Sequence, residues 1–197
     1  MLKAPVAGVV KTRLAAALGA EKACAIYRRM VEHVVEELPA EWPLEVHGSP
    51  PDQLHLLASW LGPRPAYRTQ CAGDLGARLI HASAAAFSSA ADGVLLLGGD
   101  CPWQTRGFFH EAASALASHD VVIGPARDGG YTLLAARKLH RSLFDGIPWS
   151  TVDVLAETLS RADALGLRVG LLDVLEDVDE PASWERARAE LFPDFLE

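Results

Sequence analysis

The sequence predicts an α/β protein built on a mostly parallel sheet. GVLLLGGD (93–100) and DVVIGPA (120–126) are continuous apolar runs of strand length, the pattern of strands buried on both faces. Such runs alternate along the chain with segments whose apolar residues recur at helical spacing, the order that produces parallel strands joined by helices. The chain has 197 residues, half of them hydrophobic and 22% charged, which suits one domain with a full core.

The elements follow in order. KAPVAGVVKTRLAAALG (3–19) opens as a loop broken by Pro5 and Gly8 and turns helical near Thr12. Residues 20–38 form a helix, with Ala23, Ile26, Tyr27, Met30, Val31, Val34, Val35 and Leu38 on one face, and Pro39 stops it. LEVHG (44–48) is a strand, 52–61 a short helix closed by Gly62-Pro63, and AYRTQ (66–70) a second strand. A helix runs from near Asp74 to about Phe87, followed by the strand at 93–100, a helix over 104–118 and the strand at 120–126. YTLLAAR (131–137) is a further strand after Asp128-Gly129-Gly130. Residues 150–166 form a helix capped by Ser150 and Asp153 and ended by Gly166. LRVGLLDV (167–174) is the last strand and 181–190 the last helix. There are no repeats, linkers or low-complexity tracts.

Composition narrows the partners. A net charge of −8 argues against nucleic acid and anionic membranes. The charge is uneven: residues 1–31 carry six cations against one acid, and residues 150–197 carry four arginines against twelve acids. A phosphate and a metal could be held between such ends, although solvated helix faces would give the same asymmetry. Cys24, Cys71 and Cys101 are widely spaced and form no CxxC pair, so neither a disulfide framework nor a zinc site is predicted. With no apolar leader after Lys3 and Pro5, a cytoplasmic location is expected.

In open α/β sheets ligands bind at the carboxyl ends of strands, so the polar segments after each strand are the candidates. Lys11 and Arg13 can place positive charge on a polyphosphate; Gly8 permits close approach, and the helix start at Thr12 offers N–H groups. The structural alternative is a helix start with two surface cations, and neither GxxxxGK[ST] nor GxGxxG is present. Asp100 ends a buried strand, where a carboxylate needs a partner or a metal, and Mg²⁺ or Mn²⁺ suits oxygen ligands. Its alternative is a cap for the next helix. Cys101 has no base nearby in sequence and is assigned to packing.

In EDVDEP (176–181), Asp177 and Asp179 could hold a divalent cation that relieves their repulsion, or Asp179 or Glu180 could simply cap the last helix. Asp128, Gly129 and Gly130 are explained equally by a hairpin turn or by a loop that admits a sugar or acceptor. Trp149 could stack on a ring or fill the core, and Gly73-Asp74 could approach a ribose or make a turn.

Taken together and in order, KAPVAGVVKTRLAAALG, QCAGDLGARL, LLLGGDCP, VVIGPARDGGYTLLA, IPWST and DVLEDVDEP resemble a bacterial family of GT-A-like proteins. Its members are often labelled glycosyltransferases associated with arsenosugar biosynthesis, and it is similar to the molybdenum-cofactor and phospholactate guanylyltransferases. The resemblance covers nearly the whole chain. It implies a single three-layer α/β/α Rossmann-like domain of the nucleotide-diphospho-sugar transferase (GT-A) type.

For the residues, it implies that Pro5, Gly8, Lys11, Thr12 and Arg13 belong to a loop that holds nucleotide phosphates, with Gly73 and Asp74 near base and ribose. Asp100 would hold the metal, Mg²⁺ or Mn²⁺, with Asp177 or Asp179 as the second acidic element. Asp128, Gly129, Gly130 and Tyr131, with Trp149, Ser150 and Thr151, would face the acceptor. Lys11, Arg13 and Asp100 are the expected catalytic set. The family carries an apolar first strand before the loop, of which only Met1-Leu2 stand here, so a truncated first strand is expected.

The expected activity is a metal-dependent transfer from an activated nucleotide to a small acceptor. A nucleotide-diphospho-sugar donor is ranked first. Nucleotidyl transfer from a triphosphate to a phosphorylated acceptor is the alternative, favoured by a single Asp before Cys-Pro and by the cationic loop. A non-catalytic nucleotide-binding relative is the third reading.

Overall fold

The computed structural model describes residues 1–195. In chain order the elements are β1 (Leu2–Lys3), α1 (Thr12–Leu18), α2 (Ala20–Glu37), β2 (Glu45–Ser49), α3 (Leu54–Leu61) after a 3₁₀ turn at Pro51–Gln53, β3 (Ala66–Thr69), α4 (Leu75–Ser88), β4 (Val94–Leu97), α5 (Arg106–Ala115), β5 (Val121–Pro125), β6 (Tyr131–Ala136), a 3₁₀ turn at Arg141–Leu143, α6 (Val154–Ala164), β7 (Val169–Leu171) and α7 (Pro181–Leu191). Every element expected from the sequence is present. Among the described residues no helix is long and apolar enough to cross a membrane.

The chain divides into two compact units. The first is assembled from three stretches: Met1–Thr69, Gly98–Arg106 and a segment beginning at Glu176. Its sheet has the order β1-β2-β3 with every pair parallel, in the register Leu2↔Gly48 and Glu45↔Ala66. Gly19, at φ 88, separates α1 from α2, a left-handed conformation that glycine adopts without penalty. The predicted face of α2 is the buried one: Ala23, Ile26, Tyr27, Met30, Val31 and Val34. It packs on both sides. Ile26 and Met30 join Leu14, Val178, Trp184 and Phe192 in one cluster, while Tyr27 and Val31 join Leu2, Val10, Val46 and Leu57 in another. Each such side chain stabilises the fold by about 1.5–3 kcal/mol when fully buried.

The second unit comprises Gln70–Leu97 and Gly107–Leu175. Its sheet has the order β4-β6-β5-β7. Strands β5 and β7 are parallel, but β6 runs antiparallel to both β4 and β5. The physical reason is local. Asp128-Gly129 closes a tight turn, with Ala126 N–H donating to Gly130 O at 3.0 Å, so β5 and β6 form a hairpin. β5 is buried at every position, as its unbroken apolar run requires.

Two local expectations are corrected. β4, expected to be buried on both faces, is half-buried throughout, because it stands at the edge of its sheet with a neighbour on one side. The helix expected from Ser150 begins only at Val154. Ser150 stands at φ 65, outside any cap, and the Thr151 hydroxyl, not that of Ser150, accepts from Asp153 N–H at 3.3 Å. Residues 150–153 form an exposed turn that delays the helix by one turn. At the other end Gly166, at φ 65, terminates it as predicted.

Candidate functional site

The first unit contains a charged centre built from its three separate stretches. Val178 is fully buried in the cluster of α1, α2 and α7, which fixes the backbone of the EDVDEP segment. Its N–H donates to Asp100 O at 2.8 Å, tying that segment to the polypeptide just after β4. Asp179, the next residue, therefore lies beside Asp100.

Lys11 completes the arrangement from the loop before α1. Its ammonium lies 2.6 Å from Asp100 Oδ1 and donates to Asp179 Oδ1 at 2.9 Å and to Val178 O at 2.6 Å. The Lys11 side chain is 4% exposed, whereas those of Asp100 and Asp179 are 51% and 49% exposed. Burial alone would pull the Lys11 pKa down; the charges and hydrogen bonds of Asp100 and Asp179 outweigh burial and hold it above the ordinary lysine value. Lys11 sits at φ 48, ψ 49, a left-handed conformation uncommon outside glycine and asparagine.

The remaining acids of the segment have separate roles. Glu176 forms an ion pair with Arg186, Nη2 to Oε1 at 2.5 Å. Glu180 begins α7: its N–H donates to the Ser183 hydroxyl at 3.2 Å, and that hydroxyl donates to Glu180 O at 2.9 Å. The Asp177 charge acts on Cys101. Burial first, and then Asp177, push the Cys101 thiol up to about 12, so it stays protonated at neutral pH, as expected of a packing residue.

Of Asp100, Asp177 and Asp179, the structure brings Asp100 and Asp179 together on Lys11. Among the described residues no group of three or more His, Cys, Asp or Glu side chains could hold a metal ion by itself. Two aspartates nevertheless fit Mg²⁺, which takes one or two carboxylates and completes its shell with water and substrate phosphate. Arg13 and Thr12 are exposed on the first turn of α1, and Arg13 has no partner among the described residues. Gly8, at φ 80, has open space around it, so its role in the loop is conformational. Pro5 is half-buried at the start of the same loop.

The second unit gathers the other candidates. Asp74 caps α4, its Oδ1 accepting from Ala77 N–H at 2.8 Å, and Gly73 precedes it at φ 111. Asp128 folds back on its own turn, Oδ1 accepting from Gly130 N–H at 2.9 Å. Gly129 is required by backbone conformation and space: at φ 90, a Cβ there would lie 2.2 Å from Val152 O. Gly129 O accepts from Leu155 N–H at 2.9 Å, so the hairpin turn and the Ser150–Asp153 turn are held together. Tyr131 and Trp149 meet edge to face, with ring centroids 6.2 Å apart. Among the described residues the buried Trp149 Nε1 has no hydrogen-bond acceptor, and it faces Gly76, whose missing Cβ would come within 2.9 Å of it.

Sequence reasoning did not find that Lys11 would be the partner of both aspartates. The cost of an unpaired Asp100 and the basic start and acidic end were the available signals, but neither fixes a contact across 168 residues.

Compared with known proteins, the chain has the α/β fold of the nucleotide-diphospho-sugar transferases. A crystal structure from Desulfovibrio desulfuricans G20, described as a "putative nucleotide-diphospho-sugar transferase", is 32% identical with a TM-score of 0.88, over 98% of this chain and 87% of that one. The CTP complex of CMP:2-keto-3-deoxy-manno-octonic acid synthetase is 15% identical with a TM-score of 0.55, over 83% of this chain and 86% of that one, a likeness of fold. The profile of DUF2064, described as "Uncharacterized protein conserved in bacteria", matches residues 34–151. The chain belongs to the DUF2064 family. No curated protein matches its sequence.

Proposed function

We propose that the protein is a transferase that uses an activated nucleotide with Mg²⁺ or Mn²⁺, and that its donor is a nucleotide-diphospho-sugar. The observation that carries this reading is the convergence of Asp100 and Asp179, from two separate stretches of chain, at one half-exposed acidic centre. The relative from D. desulfuricans, with its nucleotide-diphospho-sugar description, supports the choice of donor.

Each residue has a chemical task. Arg13, exposed and without a partner among the described residues, offers a planar fork to the diphosphate. Asp100 and Asp179 would hold the cation, which when bound would offset the negative charge of the leaving nucleoside diphosphate. Lys11 is the counter-ion that both carboxylates share. Gly73 and Asp74 open α4 as the base and ribose segment. Asp128 to Tyr131, with Trp149 and Ser150, form the acceptor segment, in which the Trp149 N–H is a buried donor with no acceptor among the described residues.

A second reading, nucleotidyl transfer to a phosphorylated acceptor, is favoured by the Cys101-Pro102 that follows Asp100, where a DxD pair would place another carboxylate. A thermal-shift panel separates the readings, because a ligand that binds only the native state raises Tm. The panel is GTP, CTP, UTP, ATP, UDP-glucose and GDP-mannose, each with and without Mg²⁺ or Mn²⁺. A metal-dependent rise with a nucleotide-sugar is the expected result. A rise with a triphosphate alone transfers the conclusion to nucleotidyl transfer. Absence of any rise rejects nucleotide use by this chain, and binding without turnover leaves a non-catalytic relative.

A further inference from the structure

Lys11 has more partners than a phosphate-binding lysine can keep. An ammonium has three N–H donors. Here they meet three oxygens: Asp100 Oδ1 at 2.6 Å, Asp179 Oδ1 at 2.9 Å and Val178 O at 2.6 Å. The group is nearly inaccessible, with its side chain 4% exposed, so water supplies no further acceptor. Its backbone stands in the left-handed region, at φ 48 and ψ 49, which a lysine adopts only when its surroundings require it. The two carboxylates are half exposed, so the positive charge is on the inner side of an acidic pair whose outer side faces solvent.

We infer that Lys11 is an internal competitor for the divalent cation: it occupies the Asp100–Asp179 pair as a built-in counter-ion and sets how tightly that pair takes a metal. The inference rests on the reading of these aspartates as the cation-holding pair. The ammonium and a divalent cation draw on the same two carboxylates, and the charge that Lys11 neutralises weakens the pair for Mg²⁺ or Mn²⁺. Lys11 thereby keeps the free protein's affinity for the bare ion low. Arrival of a nucleotide's phosphates adds negative charge and further oxygen ligands, and the balance then shifts towards the metal. Lys11 is a positioning residue in this scheme. A purely structural lysine makes the opposite prediction, because losing it would let the aspartates part and would weaken metal uptake.

The test uses the full chain and Mn²⁺ alone, without nucleotide, reading free Mn²⁺ by electron paramagnetic resonance at fixed pH and ionic strength. Lys11→Met and Lys11→Gln are expected to bind Mn²⁺ at least ~10-fold more tightly than the wild type, within the usual range of coupling between two ligands. Adding Asp100→Asn to either variant is expected to abolish the gain, which separates this pair from other surface acids. Variants that are folded by circular dichroism but bind Mn²⁺ no more tightly overturn the proposal, as does a gain that survives Asp100→Asn. If both variants are unfolded, recovery of a cooperative melt on adding Mn²⁺ supports the proposal and failure to recover overturns it. Nucleotide-dependent Mn²⁺ binding in the wild type, with no gain in the Lys11 variants, would sink this inference and leave the transferase reading intact.

Discussion

A single buried carbonyl decides which acid meets Lys11. Val178 is fully buried, so its two neighbours must leave the chain on different sides of it. Asp179 reaches the ammonium, and Asp177 instead acts on the Cys101 thiol. That thiol gives a prediction at the same scale. Its proton is held to about 12 in the folded protein, well above the ordinary thiol value of 9.0. The folded state therefore binds the proton more tightly, and the stabilisation is complete below pH 9.0 and is lost as pH rises towards about 12. The Tm of the wild type is expected to fall more steeply over that window than the Tm of Cys101→Ala, as differential scanning calorimetry would record. In native protein at pH 8, a thiol reagent is expected to modify Cys71, which is partly exposed, and to spare the buried Cys24 and Cys101. Mass spectrometry of the labelled peptides checks this.

Among the elements, the β5–β6 hairpin shows how one glycine can be fixed by its neighbours and another by its own backbone. Gly129 is at φ 90 and faces Val152 O at 2.2 Å from the position of an added Cβ, whereas Gly8 is at φ 80 in open space. Gly129→Ala is therefore expected to cost about 2–4 kcal/mol, combining backbone strain with a clash against main chain that cannot move away cheaply. Gly8→Ala is expected to cost only about 1–2 kcal/mol, the strain alone. Urea unfolding of the two variants measures the difference, and equal losses would contradict the packing of the two turns. Asp128-Gly129 was legible in the sequence as a signal that suited a hairpin turn and a ligand loop equally, and in the structure it closes the hairpin that sets β6 antiparallel to β5. The contact with Val152 was not legible, because it joins two turns that only the folded backbone brings together.

For the molecule as a whole, the first unit draws on three stretches, and each supplies one member of the charged centre: Lys11, Asp100 and Asp179. Its core crosses the same boundaries. Trp184, 1% exposed, stacks on Phe192 at a centroid distance of 5.8 Å and packs with Leu14, Ile26 and Val178. Trp184→Ala is expected to cost about 3–5 kcal/mol, the usual loss for an aromatic core residue. Because Val178 belongs to that cluster, the same variant is expected to weaken any metal-dependent thermal shift, and a shift of undiminished size would separate the core from the site.

The α/β class, the order of elements and the buried face of α2 were legible in the sequence alone. These depend on apolar periodicity and on Pro and Gly at element ends, both of which act over a few residues. The sequence also marked the residues that end strands, Asp100 among them, because a carboxylate after an apolar run must find a partner. That the partner is Lys11, that Asp179 joins Asp100 on the ammonium, and that Ser150 stands in a turn outside α6 follow from the folded chain. Ion pairs across 168 residues and turns packed on other turns have no local pattern. Their geometry follows from where the core places Val178 and where the hairpin places Gly129.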